Sequence, residues 1–157
     1  MRTVLSDILY FLFIIIVLAI RPAHAQQTTV QFHGLSKHFG SQLDGESFNR
    51  HHPGIGVSLD FGGDLAMETG FYKNSISGHS NYALTDYKPL HLGDIRVGVF
   101  GGLATGYPCN EKVFGFTPIG GLVAVVPLIS RATATIRLTP KTDDSPYVIT
   151  ASFGWRF

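Results

Sequence analysis

From Tyr147 to Phe157 the chain reads YVITASFGWRF, and its apolar and polar positions alternate. Tyr147, Ile149, Ala151, Phe153, Trp155 and Phe157 fall on one side; Val148, Thr150, Ser152, Gly154 and Arg156 fall on the other. A period of two marks a strand, and about ten residues is what a tilted strand needs to cross a bilayer. The same pattern predicts further strands over approximately Thr28–His38, Gly54–Phe61, Leu65–Asn74, Asn81–Tyr87, Asp94–Thr105, Pro118–Val126 and Arg131–Leu138. The intervening stretches, such as SISGHS and PKTDDSP, are rich in the residues that turns require. After residue 25 no segment carries a helical period.

Eight antiparallel strands close into a barrel whose interior holds side chains or one small ligand. An even count and an apolar face ending in aromatic residues suit an all-β, up-and-down transmembrane β-barrel of the outer membrane of a Gram-negative bacterium. Closure has a physical motive, because in lipid every backbone donor and acceptor must be paired internally. The alternative is a soluble periplasmic barrel, which turns its apolar face inward. In Leu65–Asn74 the more polar face is Ala66, Glu68, Gly70, Tyr72 and Asn74. A lumen holding Glu68 with Arg96, Arg131, Arg137 and Arg156 is costly unless the charges pair, so Glu68 is expected to neutralise one arginine near the barrel floor.

The N-terminus adds a compartment. Arg2 precedes the apolar run Ile8 to Ile20, and Ala23-His24-Ala25 has the small-x-small form of a cleavage site. Residues 1–25 therefore read as a secretory signal peptide, and 26–157 as one barrel domain. Removing 1–25 takes Arg2, Arg21 and Asp7 from 12 basic and 11 acidic residues, leaving ten of each. A neutral chain gives no reason to expect nucleic acid. Cys109 is the single cysteine, so no internal disulfide forms. His51 and His52, with His38 and Asp44 nearby, match no ordinary metal-ligand spacing; no metal or cofactor is expected.

Two strands depart from a polar lumen. DIRVGVFGGLAT and PIGGLVAVV carry small or apolar residues on both faces. Strand glycines signal close approach, either by the opposite wall or by a hydrocarbon chain. In the second case Gly98, Gly102, Gly120 and Ala124 line an acyl-chain pocket between the fifth and sixth strands. Pro118, Pro127 and Pro140 loosen strand pairing where they fall, because proline has no N–H to donate.

The ordered series FHGLSKHF, SFNRHHPGIGVSLDF, ETGFYKNS, YKPL, LGDIRVGVFGGLATGY and FTPIGGLVAVVPL resembles the lipid A palmitoyltransferases of the PagP type, from about Phe32 onward. That resemblance implies an eight-stranded outer-membrane barrel, a monomer, that moves an acyl chain from a phospholipid to lipid A. It also implies a His, an Asp and a Ser at the extracellular rim. Matched position by position, the His is His33 and the Ser is Ser75, while the Asp position holds Asn74. In that role His33 is the base, Ser75 the nucleophile or acceptor-positioning hydroxyl, and Asn74 the orienting group. Asn offers a dipole but no charge to an imidazolium, and losing the acid of a comparable triad costs roughly ten-thousand-fold. The family's amphipathic helix before the first strand also has no room here, since the strand pattern starts within a few residues of Gln26. The other reading is a catalytically inactive outer-membrane barrel of the same fold, with a structural or surface-interaction role. Under it, Asn74-Ser75 is ordinary turn chemistry.

Overall fold

The computed structural model describes residues 27–39, 50–107, 116–142 and 146–157. The expected signal peptide, Asp44 and Cys109 lie outside them. Eight strands follow one another: β1 Gln27–Phe39, β2 His51–Asp60, β3 Leu65–Lys73, β4 His79–Leu92, β5 Ile95–Ala104, β6 Thr117–Ile129, β7 Ala132–Thr139 and β8 Tyr147–Arg156. Each pairs with its chain neighbour and β8 returns to β1, giving a closed barrel. The seam is antiparallel and runs from Thr29↔Arg156 to Phe39↔Tyr147. Closure leaves the sheet without an edge, as lipid demands.

The ends differ. At one end β2–β3, β4–β5 and β6–β7 are joined by tight turns at 61–64, 93–94 and 130–131. Gly62, Gly63 and Gly93 supply the positive φ angles there. The connections at the other end are longer, apart from the compact 74–78 turn. In outer-membrane barrels short turns face the periplasm and long loops the exterior.

Three strand prolines coincide with shifts in register. Pro53 lies beside the irregularity between His33 and Leu35, Pro89 in the one between Tyr87 and Leu90, and Pro127 begins the one before Ile129. A residue without an N–H is tolerated where the ladder is already interrupted. Pro118 lies in the stretch of β6 that pairs with β5 alone.

The outer face is a belt of exposed apolar side chains, including Phe32, Leu35, Ile55, Phe71, Val99, Leu122, Ile136, Ile149 and Phe153. Phe32 and Phe153 are paired across the seam, with ring centroids 6.3 Å apart. The alternation read in the last strand holds, with Ser152 and Gly154 buried and Tyr147, Ile149, Phe153 and Phe157 exposed. In β6 the faces are reversed from the expectation. Val123 is 1% exposed and Leu122 54%, so Gly120, Leu122, Ala124 and Val126 form the outward face. Both faces of β6 are apolar, so periodicity alone could not orient it. The pairing Phe100↔Gly121 does.

Inside, Tyr82, Leu84, Phe100, Ala104, Val123 and Val125 form a buried cluster on the β4–β5–β6 wall, with Tyr72, Tyr107 and Ile119 packed against it. Substituting Ile136, at mid-height of β7 and facing out, by Arg is predicted to lower unfolding free energy in bilayers by about 2–4 kcal/mol. Urea titration of vesicle-inserted protein measures this. A loss below about 0.5 kcal/mol contradicts a lipid-facing position.

Candidate functional site

A connected chain of polar residues runs through the middle of the lumen. It starts on β8, where Ser152 Oγ lies 2.9 Å from His33 Nδ1. His33 Nε2 lies 2.6 Å from the Tyr82 hydroxyl. Tyr82 donates to Glu68 Oε1 at 2.7 Å. Arg137 donates to Glu68 Oε2 at 2.7 Å and to Asp86 at 3.1 and 3.2 Å. Lys88 closes the chain, its Nζ 3.5 Å from Asp86. Five of the eight strands, β1, β3, β4, β7 and β8, contribute a member, so the network ties opposite walls together.

Proton bookkeeping fixes the roles. Tyr82 has one hydroxyl proton, and it goes to the Glu68 carboxylate, which only accepts. The Tyr82 oxygen therefore accepts from His33 Nε2–H. In a neutral imidazole Nδ1 is then the acceptor, and it takes the Ser152 hydroxyl proton. Both ring nitrogens are engaged.

Tyr82 reaches across the lumen because two glycines face its hydroxyl. Gly56 and Gly70 are paired directly; a Cβ at Gly56 would stand 2.1 Å from the Tyr82 hydroxyl, and one at Gly70 2.7 Å. Alanine at either position would collide with the oxygen that links His33 to Glu68.

Glu68, Asp86, Lys88 and Arg137 are all buried, Lys88 at 2% exposure. Two anions against two cations make this inner set neutral, the condition under which buried charges persist. The expected partner of Glu68 is thus Arg137, held midway up the lumen rather than at its floor. The Arg137 guanidinium also lies over the Phe100 ring, 5.5 Å from its centroid. Tyr82, Asp86, Lys88 and Ser152 were not singled out from sequence. The signal for the first three was present in YALTDYK, where Tyr82, Leu84, Asp86 and Lys88 alternate onto one face.

The expected rim triad does not assemble. Registers His33↔Gly54 and Gly54↔Tyr72 set His33 level with Tyr72, two residues below Asn74. Among the described residues no hydrogen bond joins His33 to Asn74 or Ser75. Asn74 is 0% exposed and spends its amide on the 74–78 turn. Its Oδ1 accepts from the Ile76 and Gly78 amides at 3.2 and 2.7 Å, and Nδ2 donates to Ser80 Oγ and the Gly106 carbonyl, both at 3.0 Å. Every hydrogen-bonding site of that side chain is occupied, so it has nothing left to orient an imidazole. Ser75 meets the Tyr107 hydroxyl, which in turn bonds Tyr72 at 2.8 Å. This tyrosine pair caps the lumen beneath the 74–78 turn.

The expected acyl-chain pocket is divided by the register. Gly98 and Gly102 share the inner face with Phe100, whereas Gly120 and Ala124 pair with Gly101 and Val97 on the outer face. The inner glycines already have neighbours: a Cβ on Gly98 would meet the Tyr87 carbonyl at 1.9 Å, and one on Gly102 the Ala83 carbonyl at 2.0 Å. Close approach of β4 accounts for both. Near the outer end, His52 donates from Nδ1 to the Lys73 carbonyl at 2.8 Å and accepts from Ser36 through Nε2. Among the described residues no group of three or more His, Cys, Asp or Glu is arranged to hold a metal ion.

Arg137→Met alone is expected to cost about 3–5 kcal/mol, because it strands the buried Glu68 carboxylate. Adding Glu68→Gln should recover much of that loss while leaving Asp86 and Lys88 paired, as read by unfolding midpoints in vesicles. Equal stability of the single and double variants would contradict the charge pairing. Asn74→Asp removes both amide donors and turns a carboxylate on the Gly106 carbonyl. About 1–3 kcal/mol of local stability should be lost, seen as faster amide exchange at Ile76 and Gly78; unchanged exchange contradicts the assignment.

No protein-family model matches the chain, and no match is found among curated proteins. Solved structures do resemble it. The N-terminal β-barrel domain of Pseudomonas aeruginosa OprF aligns at 14% identity over 85% of this chain and 99% of that one, with a TM-score of 0.52. Yersinia pestis outer membrane protein Ail aligns at 11% identity over 83% and 99% of the two chains, TM-score 0.46. P. aeruginosa outer membrane protein OprG aligns at 14% identity over 85% and 97%, TM-score 0.40. At 14% identity the likeness to OprF is one of fold: the chain has the closed eight-stranded antiparallel architecture of an outer-membrane barrel.

Proposed function

We propose that this chain is a non-catalytic outer-membrane barrel, a monomer with a structural or surface-interaction role. The apolar belt on its outside is the surface a bilayer accepts, and eight fully paired strands leave no edge to recruit a second copy. One observation carries the non-catalytic part of the reading. His33, the expected base, has its nitrogens engaged by Ser152 and Tyr82. Asn74, the expected orienting group, is consumed by its own turn. An enzyme's base needs a reacting proton within reach, and here each partner of His33 is itself buried in the wall.

Transfer of an acyl chain from a phospholipid to lipid A is the second reading. It keeps one feature in its favour: His33 and Ser152 form a base–hydroxyl pair, backed through Tyr82 by Glu68. Under it Ser152 replaces Ser75 as the hydroxyl, and phospholipid and lipid A are the partners. What opposes it is access, because the Tyr72 and Tyr82 rings pack against His33, with centroids 5.9 and 5.2 Å away.

The two readings separate by mass spectrometry of lipid A from cells expressing the protein. With membrane insertion verified by heat-modifiable migration, lipid A of unchanged mass is expected for the natural sequence and for Asn74→Asp alike. An added acyl mass that disappears in His33→Ala or Ser152→Ala would overturn the proposal.

A further inference from the structure

The lumen is not symmetric. Its long-loop end is capped by tyrosines, whereas its short-turn end opens into a recess of about 540 Å³ lined in part by Gln27, Asp94, Arg96, Leu128, Ser130 and Arg156. Above the recess the polar lumen narrows to a space of about 30 Å³, room for roughly one water. The recess is therefore blind, and whatever enters it enters from the short-turn side.

Its charges are not all spent. Arg96 is held by Asp60 at 2.9 Å. Arg156 has no carboxylate at ion-pair distance among the described residues, and neither does Asp94 have a cation. Two guanidinium groups and an unengaged carboxylate thus line one opening, with Gln27 and Ser130 as neutral donors. At its edge Leu128 and Ile129 are exposed, 55% and 64%, at the register shift of β6 that leaves Leu128 without a ladder partner on β7. Planar guanidinium groups match phosphate oxygens bidentately, and a carboxylate nearby suits an ammonium. Apolar side chains beside such a pair suit the start of a hydrocarbon tail.

We propose that this recess binds the zwitterionic phosphoethanolamine headgroup of a phospholipid of the adjoining leaflet, with Arg156 and Arg96 on the phosphate and Asp94 on the ammonium. The proposal rests on the barrel standing in a membrane with its short turns at a phospholipid leaflet. It is independent of whether the barrel is an enzyme, since no residue lining the recess belongs to the His33 network.

The test uses the full barrel in dodecyl maltoside, folded state confirmed by heat-modifiable migration. Backbone amide shifts of Asp94, Arg96, Ser130 and Arg156 are followed by NMR during titration with dihexanoyl phosphatidylethanolamine, dihexanoyl phosphatidylglycerol or inorganic phosphate. Saturable shifts at these amides are expected with the ethanolamine lipid, at an affinity several-fold above the glycerol lipid and above phosphate. Arg156→Gln should weaken binding about tenfold, Arg156→Lys less, and Asp94→Asn should bring the ethanolamine lipid down to the glycerol lipid. Absence of saturable shifts, an unaltered affinity in Arg156→Gln, or equal binding of the two lipids by the natural sequence overturns the proposal. Phosphate binding as tightly as the lipid also overturns it, in favour of a free-anion site. Loss of heat-modifiable migration is a separate failure, because it contradicts the membrane barrel itself.

Discussion

In hydrocarbon an unpaired backbone N–H or C=O costs several kcal/mol, with no water to offset it. That constraint governs this molecule. It explains why β8 returns to β1 over a ten-residue span of register and why strand prolines fall where the ladder already shifts. Once the cylinder is closed, its diameter is fixed near the minimum at which side chains fill the interior. Every further property of the lumen follows from that narrowness.

A narrow lumen cannot hold unpaired charge. Glu68 and Asp86 face Arg137 and Lys88, and the one proton of Tyr82 couples this set to His33 and Ser152. Because each member's partner is also a wall residue, the network braces the barrel from within. The same saturation engages both ring nitrogens of His33 with wall residues, Ser152 and Tyr82.

Much of the architecture was legible in the sequence. The strict alternation of YVITASFGWRF oriented the last strand correctly, and Gly-, Asp- and Ser-rich breaks gave eight strands. The inward position of Glu68 and its pairing with an arginine also followed from alternation. Other features were not legible, for physical reasons. PIGGLVAVV is apolar on both faces, so only its pairing with β5 reveals that Val123 and Val125 point in and Gly120 and Ala124 out. Asn74-Ser75 matched a family motif in order, but a linear motif carries no information on which atoms are already bonded. The Asn74 amide, satisfied at four points, is a turn anchor. Ser152 lay unremarked on the inner face of a strand read for its outer one, and it is the residue that meets His33.

The central claim is a sealed cylinder whose last strand hydrogen-bonds to its first while the outside faces lipid. Interstrand amide contacts across that seam, measured by NMR in lipid nanodiscs, test it most directly. Cross-peaks linking Gln31 to Gly154 and Phe32 to Phe153, with slowed exchange of their amides, are the predicted result. Rapid exchange along β1 and β8 without cross-strand contacts, alongside protected amides in β3 to β6, would contradict it.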